Sequence, residues 1–111
     1  MAIGWANGAH SNGTSILYGS AGDPIWTYPY EGLLADKVLQ LYEQESSRVD
    51  IFLENKPTNV QVFGFNEPNN GYANLVMENQ FWTLWGFDDG PSKMTETGKR
   101  MFVNTAHRAM Q

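Results

Sequence analysis

The sequence predicts an α/β domain, on three observations. Phe81, Trp82, Leu84, Trp85 and Phe87 crowd a run broken only by Thr83 and Gly86. A near-continuous apolar run of this kind marks a strand wetted on neither face, in the middle of a sheet. Asp88-Asp89-Gly90-Pro91 stops it, because Asp and Gly tolerate turn dihedrals and Pro91 cannot donate to a ladder. A helix then closes the chain: Thr95 is an N-cap, Glu96 suits the positive end of the dipole, and His107 and Arg108 suit the negative end. Its expected buried stripe is Gly98, Phe102, Ala106 and Ala109, with Met101 and Met110 at the edges. Gly98 costs ~1 kcal/mol of helix propensity, which a close approach to the sheet would explain.

From the N-terminus, glycines at 4, 8 and 13 with Asn7 and Asn12 indicate loop, with Ile3 and Trp5 as a short first strand. The glycine-bounded run Thr14–Tyr18 reads as a second strand. Pro24 and Pro29 forbid a long regular element over 20–30. Ile25, Trp26, Tyr28 and Tyr30 are too apolar for a linker, and lie over the core edge or form a recognition surface. Leu34, Val38, Leu41 and Tyr42 fall at helical spacing, so a helix is expected over 31–45, with the alternation of Val38–Tyr42 as a competing strand reading. Strands are expected at 49–53 and 60–65, with the strongest turn of the chain at Asn66–Gly71. Asn74–Met77 resumes extended structure, Glu78-Asn79 breaks it, and the central strand begins, so the sheet ends in a hairpin.

Composition bounds the partners. With 111 residues the chain reads as one domain, and 41% hydrophobic content makes it globular. Twelve acidic against seven basic residues and no basic cluster argue against nucleic acid or an anionic membrane. Absence of cysteine removes disulfides, thiolate metal sites and a cysteine nucleophile. No apolar run approaches the ~20 residues of a membrane span, and the start has no signal-peptide pattern. A soluble, by default cytoplasmic, protein is the expectation, with no cofactor implied.

Three constellations are candidate sites. His10, in the loop Asn7–Gly13, could transfer protons near neutrality or be an incidental surface histidine. Asp88 and Asp89, with Glu67 or Glu78, could act as acid and base or hold a divalent cation at a strand end, or be a solvated turn. Trp5, Trp26, Tyr28, Tyr30 and Tyr72, interleaved with Asn69, Asn70 and Asn74, suit a sugar, or finish a small core or a subunit contact. Trp26, Tyr28, Tyr30, Glu67 and Asn70 are the ligand-binding candidates of that set. No nucleophile elbow surrounds Ser11 or Ser15, no phosphate loop occurs, and His107 reads as serving the helix end. Asn12-Gly13-Thr14 is a glycosylation sequon by pattern alone.

The string WGFDDGPSKMTETGKRMFVNTAHRAM, residues 85–110, resembles the C-terminal end of domains in the ThuA-like and class I glutamine-amidotransferase-like group. Those close with a G-F strand, a loop and a Thr-capped helix carrying an Asn, here Asn104. The resemblance implies a three-layer α/β sandwich of flavodoxin-like type with a mostly parallel sheet. Complete domains of that group are nearly twice as long, so it also implies the C-terminal half of such a domain. A half sheet leaves an apolar strand edge unpaired, and the expected remedy is a homodimer or another homo-oligomer. The Cys-His-Glu chemistry of the amidotransferases does not carry over, because the cysteine is missing. The leading expectation is therefore a non-catalytic domain that self-associates and binds a small polar ligand. A carbohydrate-binding module built on Trp26, Tyr28 and Tyr30 is one alternative, and a hydrolase built on Asp88, Asp89 and His10 is another.

Overall fold

The computed structural model describes residues 5–6, 15–18, 22–33, 38–44, 50–54, 56–65, 72–79 and 81–110. Its strands are β1 (Trp5–Ala6), β2 (Ser15–Tyr18), β3 (Val38–Gln40), β4 (Asp50–Phe52), β5 (Val60–Phe65), β6 (Tyr72–Ala73), β7 (Leu75–Glu78) and β8 (Trp82–Trp85). Helix α1 spans Glu96–Ala109, and 3-10 turns lie at Pro24–Trp26 and Pro91–Lys93. A five-stranded sheet runs β3-β2-β5-β7-β8 and a three-stranded sheet runs β1-β4-β6.

Every strand pair among the described residues is antiparallel. The expected mostly parallel, three-layer α/β sandwich is thus overturned. Parallel neighbours need a crossover of a dozen or more residues, usually a helix, whereas antiparallel ones need only a turn. β7 and β8 show the difference. Asn79 takes a left-handed φ of 54°, a conformation Asn tolerates. Phe81 N–H donates to the Glu78 carbonyl at 3.1 Å, and the chain doubles straight back.

Two further expectations change. β8 is an edge strand, not a central one, and Trp82 is 59% exposed. Within its apolar run Leu84 and Trp85 pack against the two cores while Phe81 and Trp82 stay exposed. The helix expected over 31–45 is absent where the structure describes that stretch: Leu33 lies in a 3-10 turn, and Val38–Gln40 pairs with β2. Leu39 is buried while Val38 and Gln40 are exposed, which is the period of a strand. Positions 34–37 and 45 lie outside the described residues.

Each face of the five-stranded sheet carries its own core. On one side Ile16, Phe63, Leu75 and Met77 meet Ile25, Trp26 and Met101, from the first 3-10 turn and α1. On the other, Val60, Val62, Val76 and Leu84 meet Ile51 and Ala73 of the small sheet. β7 is central enough that all four of its residues are buried. A bulge between Val62 and Gly64 breaks the alternation of β5, so that Phe65 joins Val60 and Val62 on the small-sheet side while Phe63 faces the other.

Helix α1 starts at its expected cap: Thr95 Oγ1 accepts from Gly98 N–H at 2.9 Å. Its buried side is rotated from the expected stripe and comprises Gly98, Met101, Asn104 and Thr105, with Phe102 42% exposed. Gly98 fixes that rotation, because a Cβ there would lie 2.0 Å from the Leu41 carbonyl oxygen. No other residue lets the helix come so close to the chain leaving β3. Among the described residues, no helix is long and apolar enough to cross a membrane.

Candidate functional site

The segment Asp23–Tyr30 is laid along α1 by two polar clamps. Asp23 caps its 3-10 turn by accepting from Ile25 N–H at 2.9 Å. The same carboxylate accepts from Arg108 Nε at 3.0 Å, and Gln61 joins through Arg108 Nη2 and its own Nε2, both at 3.3 Å. Arg108 also sits over the Phe63 ring, 5.7 Å from its centroid. Asp23 and Arg108 are nearly buried, so each depends on the other for its solvation. Further along, Asn104 Nδ2 donates to the Tyr30 carbonyl and its Oδ1 accepts from Tyr30 N–H, both at 2.9 Å. A single buried side chain thereby pairs a loop backbone as a strand would.

These clamps sort the aromatic candidates. Trp26 is wholly buried in the helix-side core, and so offers no face to a ligand. Tyr28 and Tyr30 remain exposed; Tyr28 meets His107 edge-on at 5.7 Å, and the Arg100 guanidinium lies 5.5 Å over the Tyr30 ring. Asn74 is buried between β6 and β7, where its backbone bonds to Gly64 and Gly86. Among the described residues neither of its side-chain polar atoms has a hydrogen-bond partner. His10, Glu67, Asn69 and Asn70 lie outside the described residues, and of Trp5 and Tyr72 only the backbone is described.

Among the described residues the acidic pair meets no third acid or histidine that could hold a metal ion. Asp88 is exposed, and Asp89 is held by its backbone, whose carbonyl accepts from the Tyr42 hydroxyl at 2.8 Å. Lys93 lies 3.9 Å from the Asp89 carboxylate. Glu78 is buried in β7. Among the described residues no three of His, Cys, Asp and Glu could hold a metal ion. The Tyr42 hydroxyl also accepts from Trp85 Nε1 at 3.0 Å. Burial pushes its phenol above the ordinary range, offset in part by the Trp85 bond and reinforced by Asp89.

One concavity gathers polar groups from three separate segments. It opens between the outer side of β3 and the first turns of α1, with a volume of about 470 Å³. Its polar lining comes from Glu31 and Gly32, from Gln40, and from Thr95, Thr97 and Arg100. Gly32 turns the chain there with a φ of 86°, a left-handed conformation that glycine takes without strain. Leu33 then drops into the core. Arg100 is steadied by Glu96, 3.3 Å away, and by Tyr30 beneath it. Of the cleft's lining, Thr95 stood out in the sequence as a helix cap, and Tyr30 lies on the chain just outside it. Glu31, Gln40, Thr97 and Arg100 carry no local pattern, because their neighbourhood exists only after folding. Comparison with protein-family models, with curated proteins and with solved structures finds no match to this chain.

Proposed function

We propose that the chain is a small binding module for a neutral, hydroxyl-rich ligand such as a sugar, seated in the cleft between β3 and α1. The observation that carries this reading is a cleft of about 470 Å³ whose lining holds a carboxylate, Glu31, a guanidinium, Arg100, and Thr97 together. Pockets for small ligands run from ~300 to 1,000 Å³. A carboxylate and a guanidinium together satisfy both the donor and the acceptor of successive hydroxyls. Tyr30, half-exposed beside the cleft, steadies Arg100 from beneath its guanidinium. A helix N-terminus in the same cleft would favour an anion. Glu31 and the net charge of −5 work against one, and a neutral polyol suits both charged groups. The hydrolase reading gains no support, since Asp88 and Asp89 do not converge with another acid among the described residues.

The test is a backbone-amide NMR titration with a panel of mono- and oligosaccharides. Shifts should cluster at Glu31–Leu33, Gln40 and Thr97–Arg100. Arg100→Gln should weaken binding about tenfold or more, the value of a charge-assisted hydrogen bond, with an unchanged thermal midpoint. Shifts elsewhere, or none with any sugar at millimolar concentration, would end the proposal.

A further inference from the structure

We infer that the open edge of β8 is a dimer interface, across which a second copy of this chain pairs antiparallel about a two-fold axis. Phe81-Trp82-Thr83-Leu84-Trp85 contains no Pro, Gly or charged residue. Proteins blunt a free strand edge with such residues, and an edge without them is a template for another strand.

The surface beside this edge is apolar on both sides. Phe81 and Trp82 are 62% and 59% exposed, and hold each other edge-to-face at 5.3 Å. On the helix side a groove of about 210 Å³ runs between Thr83 and Trp85 of β8 and Phe102, Ala106 and Ala109 of α1. None of those groups is charged.

The occupant follows from self-complementarity. A two-fold interface needs a projection and a recess on the same patch, so that each copy fills the other. Phe81 and Trp82 are the projection and the groove beside Trp85 is the recess. Antiparallel pairing with Thr83 opposite Thr83 sets Phe81 of one copy opposite Trp85 of the other. Trp85 lines the groove on the helix side, and Phe81, in the turn that opens β8, meets it from the end of the partner's strand. A foreign peptide would need apolar side chains on both faces of its strand to match, which this chain already has.

The area is of the right order. Aromatic side chains bury ~150–250 Å² each, so the exposed parts of Phe81, Trp82 and Phe102 supply roughly 300 Å² per copy. Met110, 75% exposed, the groove walls and the strand backbone add to this, toward the ~800 Å² per partner of a standard interface. The contact carries no charge while each copy carries −5, so added salt should leave it intact or tighten it.

Sedimentation velocity over a concentration series tests the inference. The unmodified chain should reach a dimer in the micromolar range. The double variant Phe81→Lys with Trp82→Lys should weaken association about 30-fold or more, the level of a lost hot spot. Ala106→Arg fills the groove from an exposed helix position, and should do the same while keeping the helical circular dichroism. Val103→Lys, on an exposed part of α1 outside the groove, should leave the dimer unchanged. A monomer at every concentration, or a dimer indifferent to both edge variants, would overturn it.

Discussion

The two edges of the five-stranded sheet are finished in opposite ways. Beyond β3 the chain is sealed from within. Thr95 Oγ1 donates to the Gln40 carbonyl at 2.6 Å, Thr95 N–H to Leu41, and Glu43 N–H to Lys93, so that the stretch entering α1 serves as a makeshift neighbouring strand. Beside β8 the helix lies over the face, and among the described residues no strand pairs with the edge itself. One segment, Lys93–Gly98, accounts for the contrast, since it turns the helix start toward Leu41. The polar cleft belongs to the sealed edge and the apolar groove to the open one. A single helix thereby divides a ligand surface from an association surface.

The strongest way to break this comparison is Gly98→Ala. On an exposed helix the change would gain ~1 kcal/mol. Here the new methyl would lie 2.0 Å from the Leu41 carbonyl oxygen, which is backbone and cannot swing aside. The helix must lift from the β3 edge, opening the Thr95 bonds and distorting the cleft. A loss of about 3 kcal/mol or more is expected in urea unfolding, beyond the ordinary cost of overpacking. A neutral or stabilising result would mean that the seal is not made at Gly98.

A middle-sized effect is expected at Tyr42, which links the two edges across the helix-side core. Its hydroxyl donates to the Asp89 carbonyl and accepts from Trp85 Nε1. Tyr42→Phe leaves both partners short of a bond and should cost about 1–2 kcal/mol, with a change in Trp85 fluorescence. The pH dependence has a definite sign. Burial raises the folded phenol above its unfolded value, so the neutral form is favoured in the fold. This contribution is fully present below the unfolded value, ~10, and is lost as pH rises through the folded one. Urea midpoints should therefore fall at strongly alkaline pH, and by less in Tyr42→Phe.

The sequence made local features legible and long-range ones obscure. The Thr95 cap and the extent of α1 depend on neighbours within a few residues, and both are found; the glycine at 98 signalled a close approach, but not that Leu41 would be the partner. The strand at 60–65 is found as expected, and the extended run expected over 74–77 is found at Leu75–Glu78, with Glu78 inside the strand instead of breaking it. Sheet direction is not legible in this way, because it is decided by what connects the strands. The 81–87 run reads alike in a central strand and in an edge strand covered on both faces, and only the fold tells them apart. Leu34, Val38, Leu41 and Tyr42 fit a helix as well as a strand; pairing of Val38–Gln40 with β2 settles it. The cleft was hidden because Glu31, Gln40 and Arg100 converge from distant segments. Trp26 was visible as an aromatic, but its spacing could not show that two clamps on α1 would bury it.

The smallest effect sharpens the comparison most. Trp82 belongs to the open edge, so its truncation removes little that the single chain uses. Trp82→Ser should change monomer stability by no more than ~0.5 kcal/mol, as surface substitutions do, in contrast to any change at the sealed edge. Where the dimer forms, mass action adds to apparent stability, and the melting midpoint of the unmodified chain should rise with concentration. Trp82→Ser should flatten that dependence while matching the unmodified chain at high dilution. A large loss at every dilution would instead mean that Trp82 holds its own fold together, and that the two edges differ less than their geometry indicates.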